Sequence, residues 1–221
     1  MTFKTILNRT ALPGLAALSL LAACGNTPGK VDSKSVLSGF LAGKQAQPPQ
    51  VDIGAALQAT KAPVILAVIE KTKAVSPLLE IESNGAYHTF ATPSRQTLTL
   101  RQGVVTATRG LSNDIMSSDA DDTLRLLKQR QAGQTRRAMR YLTGDEQIVT
   151  LSFDCTMTVG GTQKIAAGEV SATARAMNES CTGEGLSFTN TYVVDASGHV
   201  LTSRQWVNPT IGPVALQVLR R

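Results

Sequence analysis

Aromatic residues make up only 4% of this chain, and histidine occurs twice. The first scarcity argues against a sugar platform built from stacked rings. The second restricts chemistry. His88 and His199 lack the i, i+4 spacing of a zinc pair. No Gly-x-Ser-x-Gly element accompanies them as a serine nucleophile. Each reads as a surface or core-edge histidine. Charged residues are sparse too, at 17%, with a formal net charge of +6. So mild an excess does not mark a nucleic-acid binder. Long apolar runs are missing beyond residue 23. The longest, Ala62 to Ile69, has the length of a strand, far short of the about 20 residues that cross a bilayer as a helix.

Acidic motifs are equally incomplete. Asp119, Asp121 and Asp122 suggest a calcium loop, but its sixth position is not Gly and its twelfth is not Glu. A helix N-terminus explains them better. Glu70, Glu80, Glu82, Asp154 and Glu169 could supply paired carboxylates for glycoside cleavage. None has a distinctive context, and carboxylates are ordinary on wet sheet faces. The sequence names no catalytic residue, no metal site and no cofactor.

What the chain does have is a leader. Lys4 and Arg9 precede a short apolar run, Ala11 to Ala23, that ends in Leu21-Ala22-Ala23-Cys24. This is the layout of a secretory signal with a lipobox. It predicts removal of residues 1–23 and lipid attachment at Cys24. Two or three acyl chains anchor a protein stably, where one does so only marginally. Gly25, rather than Asp, follows the cysteine and favours the outer membrane, with the domain facing the periplasm. Residues 24–50 read as a tether, and 51–221 as one β-rich domain. Cys155 and Cys181 then remain as an even pair in an oxidising compartment, so a structural disulfide is expected. It would stabilise the fold by about 3.5 kcal/mol in the chain-entropy model.

Short strands dominate the pattern. Val149 to Val159 alternates strictly, with Phe153 and Cys155 on the apolar face. Gly160-Gly161 reads as the following hairpin turn, Thr162 to Met177 as the return strand and Gly168 as a bulge. Leu186 to Val194 and His199 to Val207 continue a meander, with regular pairing ending at Pro209 and Pro213. Earlier, Pro63 to Ile69, Leu78 to Glu82, Thr97 to Arg101, Val104 to Thr108 and Arg136 to Leu142 read as strands. Asn84-Gly85 reads as a type I′ turn. Asn113 to Asp119 reads as an ordered loop that buries Ile115 and Met116. Two helices are expected. One lies within Val51 to Thr60. The other runs from Asp121 to Gln131 and stops at Gly133. The fold class is all-β: an antiparallel barrel or curved sandwich of short strands with one or two short helices.

Cations gather along the second helix and the strand after it. Arg109, Lys128, Arg130, Arg136, Arg137 and Arg140 form a candidate site for an acidic polysaccharide or lipid phosphate. Charge that guards a strand edge is the plainer explanation.

The stretch from Thr97-Leu98-Thr99-Leu100-Arg101-Gln102-Gly103 through Arg109-Gly110-Leu111 to Asn113-Asp114-Ile115-Met116-Ser117 resembles the YjbF/GfcB-type lipoproteins. So do the lipobox, Asp154-Cys155, Glu179-Ser180-Cys181, Phe188-Thr189-Asn190, Tyr192, Arg204-Gln205-Trp206 and Pro209. The resemblance implies an outer-membrane lipoprotein associated with group 4 capsule or exopolysaccharide production. It brings no catalytic residue with it. Three functions are expected in order. The first is an accessory protein that binds a polysaccharide or an export protein. The second is a periplasmic glycan-active enzyme. The third is a lipid-binding barrel around an apolar cavity. The partners expected are the membrane, through the lipid, and a polymer or export protein.

Overall fold

The computed structural model describes residues 51–221. Cys24 and the leader lie outside the described residues. In chain order the elements are α1 (Ile53–Gln58), β1 (Val64–Ile69), β2 (Ala74–Asn84), β3 (Tyr87–Ala91), β4 (Thr97–Arg101), β5 (Val104–Arg109) and β6 (Ile115–Asp119). Then come α2 (Asp121–Gln129), β7 (Gly133–Leu142), β8 (Ile148–Ala167), β9 (Val170–Gly183), β10 (Leu186–Val194), β11 (Val200–Asn208) and β12 (Gly212–Arg220).

Twelve strands form one antiparallel sheet in the order β5-β4-β3-β2-β1-β12-β11-β10-β9-β8-β7-β6. It rolls into a nearly closed barrel, which resolves the choice between barrel and sandwich. Neighbours in sequence pair as hairpins, and β1 pairs with β12 to join the two halves. The ends of the sheet, β5 and β6, are consecutive in the chain. Side chains staple the turn between them. Thr108 Oγ1 donates to Asp114 Oδ1 at 2.7 Å, and Ile115 N donates to Thr108 Oγ1 at 3.0 Å. Gly110 N donates to Asp114 Oδ2 at 2.7 Å. Gln205 of β11 reaches β5 as well: its Oε1 accepts from Val105 N at 2.9 Å and its Nε2 donates to Gly103 O at 2.8 Å. Backbone groups of the terminal strand are thus met by side chains, as burial requires.

The interior is filled. Ile65, Leu78, Phe90, Leu100, Met139 and Phe153 belong to one large apolar cluster. Phe153 meets Phe188 edge-on at 4.9 Å, and Phe188 stacks on Trp206 at 4.5 Å. The few aromatics are therefore concentrated where bulk is needed. Helix α2 closes one end. Its Leu124, Leu126 and Leu127 pack with Val104, Met157 and Met177.

Several local expectations change. Gly160-Gly161 is no turn. Strand β8 runs through it to Ala167, and the register against β9 slips between Val159 and Thr162. The turn lies at Gly168, where φ is +56°. A Cβ there would sit 2.5 Å from the Leu219 carbonyl oxygen, because this hairpin bends over and lands on β12. Glu169 N donates to Leu219 O at 2.8 Å, and Val170 and Ala174 pack with Leu201. The bulge and the turn are thus exchanged relative to the sequence reading. A long hairpin that must bend needs an extra residue in mid-strand. Residues 115–119 are strand β6 rather than loop, with Ile115 buried and Met116 exposed. Helix α2 stops at Arg130, in the left-handed conformation at φ 54°, whereas Gly133 opens β7. The β2–β3 turn consists of Gly85 and Ala86, with positive φ at Gly85 alone. That is the pattern of a type II′ turn. Pro213 does not end pairing, because it stands within β12 opposite Trp206. Helix α1 forms as expected, with Ala55 N donating to the Asp52 side chain at 2.9 Å.

Candidate functional site

The six cations of the sequence-based site do not come together. Arg137 points into the barrel and is 3% exposed, so it is withdrawn as a surface anion binder. Strand alternation is the cause: Thr135, Arg137, Met139 and Tyr141 all face inward, while Gln134, Arg136 and Arg140 face solvent. Arg136 is paired with Asp154 at 3.2 Å, and Arg140 donates to Ser117 Oγ at 3.4 Å. Lys128 and Arg130 sit at the C-terminal end of α2. Arg109 lies at the opposite end of the barrel, at the close of β5, donating to Ile115 O at 2.9 Å. Acidic residues accompany the cations of this region. Besides the Arg136 pair, Arg125 meets Asp122 at 3.1 Å and Arg101 pairs with Asp121.

Inside the barrel Arg137 has a different task. Its guanidinium donates to Glu179 Oε2 at 3.1 Å and to Tyr192 Oη at 3.0 Å. Glu179, fully buried on β9, also accepts from Thr123 Oγ1, from Thr135 Oγ1 at 3.0 Å, from Asn190 Nδ2 at 3.0 Å and from Tyr192 Oη at 3.0 Å. Burial pushes the Glu179 carboxyl up, but the Arg137 charge and this set of donors outweigh it and hold it below its ordinary value. Burial raises the Tyr192 hydroxyl and keeps it neutral. Thr123 belongs to α2, so the network latches the plugging helix to the barrel wall. This is structural chemistry. The sulfurs of Cys155 and Cys181 lie near Glu179, but they form the expected disulfide, bridging directly opposed residues of β8 and β9. They offer no thiolate to a metal.

The outer face of the same strands is built quite differently. Pairing register lays out three rows across β7 to β11. One runs Arg136, Asp154, Thr182, Ser187. The next runs Gln134, Thr156, Ser180, Thr189. The third runs Thr158, Asn178, Thr191, Arg204. Neighbours within a row are about 4.8 Å apart and rows about 7 Å apart, as sheet geometry sets. Thr156, Thr158, Ser180, Thr182, Ser187 and Thr189 are all exposed. Thr156 Oγ1 donates to Gln134 Oε1 at 3.1 Å, whereas Ser180 Oγ and Thr189 Oγ1 are 3.4 Å apart and Thr158 Oγ1 lies 3.4 Å from Asn178 O. No aromatic side chain stands in these rows. The sequence shows this face as the Thr/Ser phase of each alternating strand. It could not show that three strands align their phases.

The two histidines are near the end of the barrel that α2 closes. His88 Nδ1 bonds Glu80 Oε1 at 2.7 Å, and His199 stands beside the β10–β11 turn. Neither side chain hydrogen-bonds a serine or a cysteine among the described residues.

A small antiparallel barrel, filled by its own side chains and latched by one helix, is thus the class of protein that these residues define. The same architecture is found in the crystal structure of the hypothetical lipoprotein YmcC from Escherichia coli (K12), with a TM-score of 0.65 at 16% identity, covering 88% of this chain and 98% of that one. At that identity the likeness concerns the fold. No curated protein matches the chain. Residues 36–219 match the family model described as group 4 capsule polysaccharide lipoprotein gfcB, YjbF. The chain belongs to this family of capsule-associated lipoproteins.

Proposed function

We propose that this protein is a lipid-anchored accessory of capsule or exopolysaccharide production that acts by binding the polymer. Cys24 would hold it on the outer membrane, with the barrel in the periplasm. The observation that carries the reading is the outer face of β7 to β11, three aligned rows of Ser, Thr, Asn and Gln with Asp154 among them, edged by Arg136, which pairs with Asp154, and by Arg204, which pairs with Glu70. A glycan presents hydroxyls and ring oxygens along its whole length. A flat field of donors and acceptors complements it without stacked rings.

Binding is favoured over catalysis by how the titratable groups are used. Glu179 and Arg137 hold the barrel together, and Asp154 is paired on the surface. Docking onto an export protein through the same face is the competing outcome.

The test has two parts. Deleting the gene should lower extracellular or capsular polysaccharide, and unchanged yield and composition would refute the accessory role. The purified protein should co-sediment with the cell's own polymer. The double substitution Thr156→Glu with Ser180→Glu should weaken that at least tenfold while leaving the unfolding midpoint in place. Retention of polymer by the double variant would refute the assigned face.

A further inference from the structure

Where β1 to β4 meet β11 and β12, at the end of the barrel closed by α2, the surface opens into a cleft of about 440 Å³. Its floor is apolar: Ile65, Phe90, Leu100, Val200, Leu201 and Val218. Polar groups are confined to the rim. His88 is tied through Nδ1 to Glu80, which leaves its Nε2 free. Among the described residues the side chains of His199 and Gln102 make no hydrogen bond, and Arg221 uses only Nη2, on Asp195 at 2.7 Å. Arg220 is fully engaged, by Glu169 and by the carbonyls of Leu57 and Thr60.

An apolar depth beneath a rim of unused donors complements a molecule divided in the same way. A sugar carries polar groups throughout, and a peptide brings backbone amides that this floor could not satisfy. A hydrocarbon chain ending in a carboxylate fits both parts, and the volume lies within the range of small-ligand sites at barrel mouths. Helix α1 is bonded to Arg220, which lines the cleft, through the Leu57 carbonyl.

We propose that this cleft binds a single-chain amphiphile with an anionic head, of the fatty-acid class, between the apolar floor and the His199–Gln102–Arg221 side of the rim. The site is separate from the hydroxyl face and does not depend on it.

The experiment titrates dodecanoate, kept below its micelle concentration, into the full mature chain by calorimetry, with NMR of the histidine rings alongside. Saturable one-to-one binding that shifts the His88 and His199 signals is expected. Ala86, an exposed turn residue on the cleft, can be enlarged without touching the core. Ala86→Trp should weaken binding at least tenfold with the unfolding midpoint unchanged, and His199→Gln should weaken it severalfold. Dodecanol should bind at least tenfold more weakly than dodecanoate. Any of four results would overturn the proposal: no saturation below the micelle concentration, full affinity in Ala86→Trp, equal affinity for dodecanol, or binding seen only once Cys24→Ser removes the protein's own lipid.

Discussion

Arg137 and Glu179 face each other inside the barrel at 3.1 Å, across two intervening ladders, with both side chains removed from solvent. Replacing one partner strands the other. Arg137→Met should cost about 3–5 kcal/mol in urea unfolding, the usual penalty for orphaning a buried charge. The double variant Arg137→Met with Glu179→Leu should recover part of that loss. A single variant as stable as the parent would show that the latch contributes nothing.

Acid should loosen the fold in a defined window. Asp195 has burial working to raise it, yet bonds from Ser197, the His199 amide and Arg221 bring it down to about 2. Glu179 is also lowered. A carboxyl lower in the folded state contributes stability that is present above its unfolded value, about 4, and is lost as pH falls toward the folded one. Stability should therefore decline between about pH 4 and about 2. Asp195→Asn should flatten part of the slope. Chemical denaturation along a pH series reads this directly.

Alkali should act through the tyrosines. Burial raises both Tyr141 and Tyr192. Groups raised in the folded state contribute stability below their unfolded value, about 10, and lose it as pH climbs toward the folded one. Unfolding midpoints should fall above about pH 10, and less steeply in Tyr141→Phe.

The disulfide should be inert until the barrel opens. Cys155 and Cys181 are 2% and 1% exposed. Thiol titration after mild reductant should find no free sulfur in the folded protein and both in urea. Replacing both with Ala should cost about 3.5 kcal/mol in the loop-closure model.

Glycines separate the two hairpin readings. Gly168→Ala meets the Leu219 carbonyl in a left-handed conformation and should cost about 1–3 kcal/mol. Gly161 has open space around it, so Gly161→Ala should stay within about 0.5 kcal/mol of the parent.

Much of the barrel was legible because period two is a strong signal. The Phe153, Cys155, Met157 phase of β8 and the exact span of β4 follow from it. The errors arise where one signal has two meanings. A Gly-Gly pair marks a turn or a bend, and only the landing of Gly168 on β12, a contact distant in sequence, decides which. Arg137 was misplaced for another reason. Its alternation with Met139 and Tyr141 already pointed inward, and Glu179 alternates with Met177 and Cys181 in the same way. Two opposite charges, each in the buried phase of its strand, were a readable hint of a pair. The general rule that charge belongs outside concealed it. The hydroxyl face and the mouth cleft need lateral register between strands, which no single strand encodes.

The ladder between β1 and β12 sets an order of events. The first strand, Val64–Ile69, pairs with the far-distant Gly212–Arg220, so the ladder that joins the two halves cannot form until both have been made. A product truncated before Gly212 would display two bare edges, at β1 and β11, open to pairing with another chain or to proteolysis.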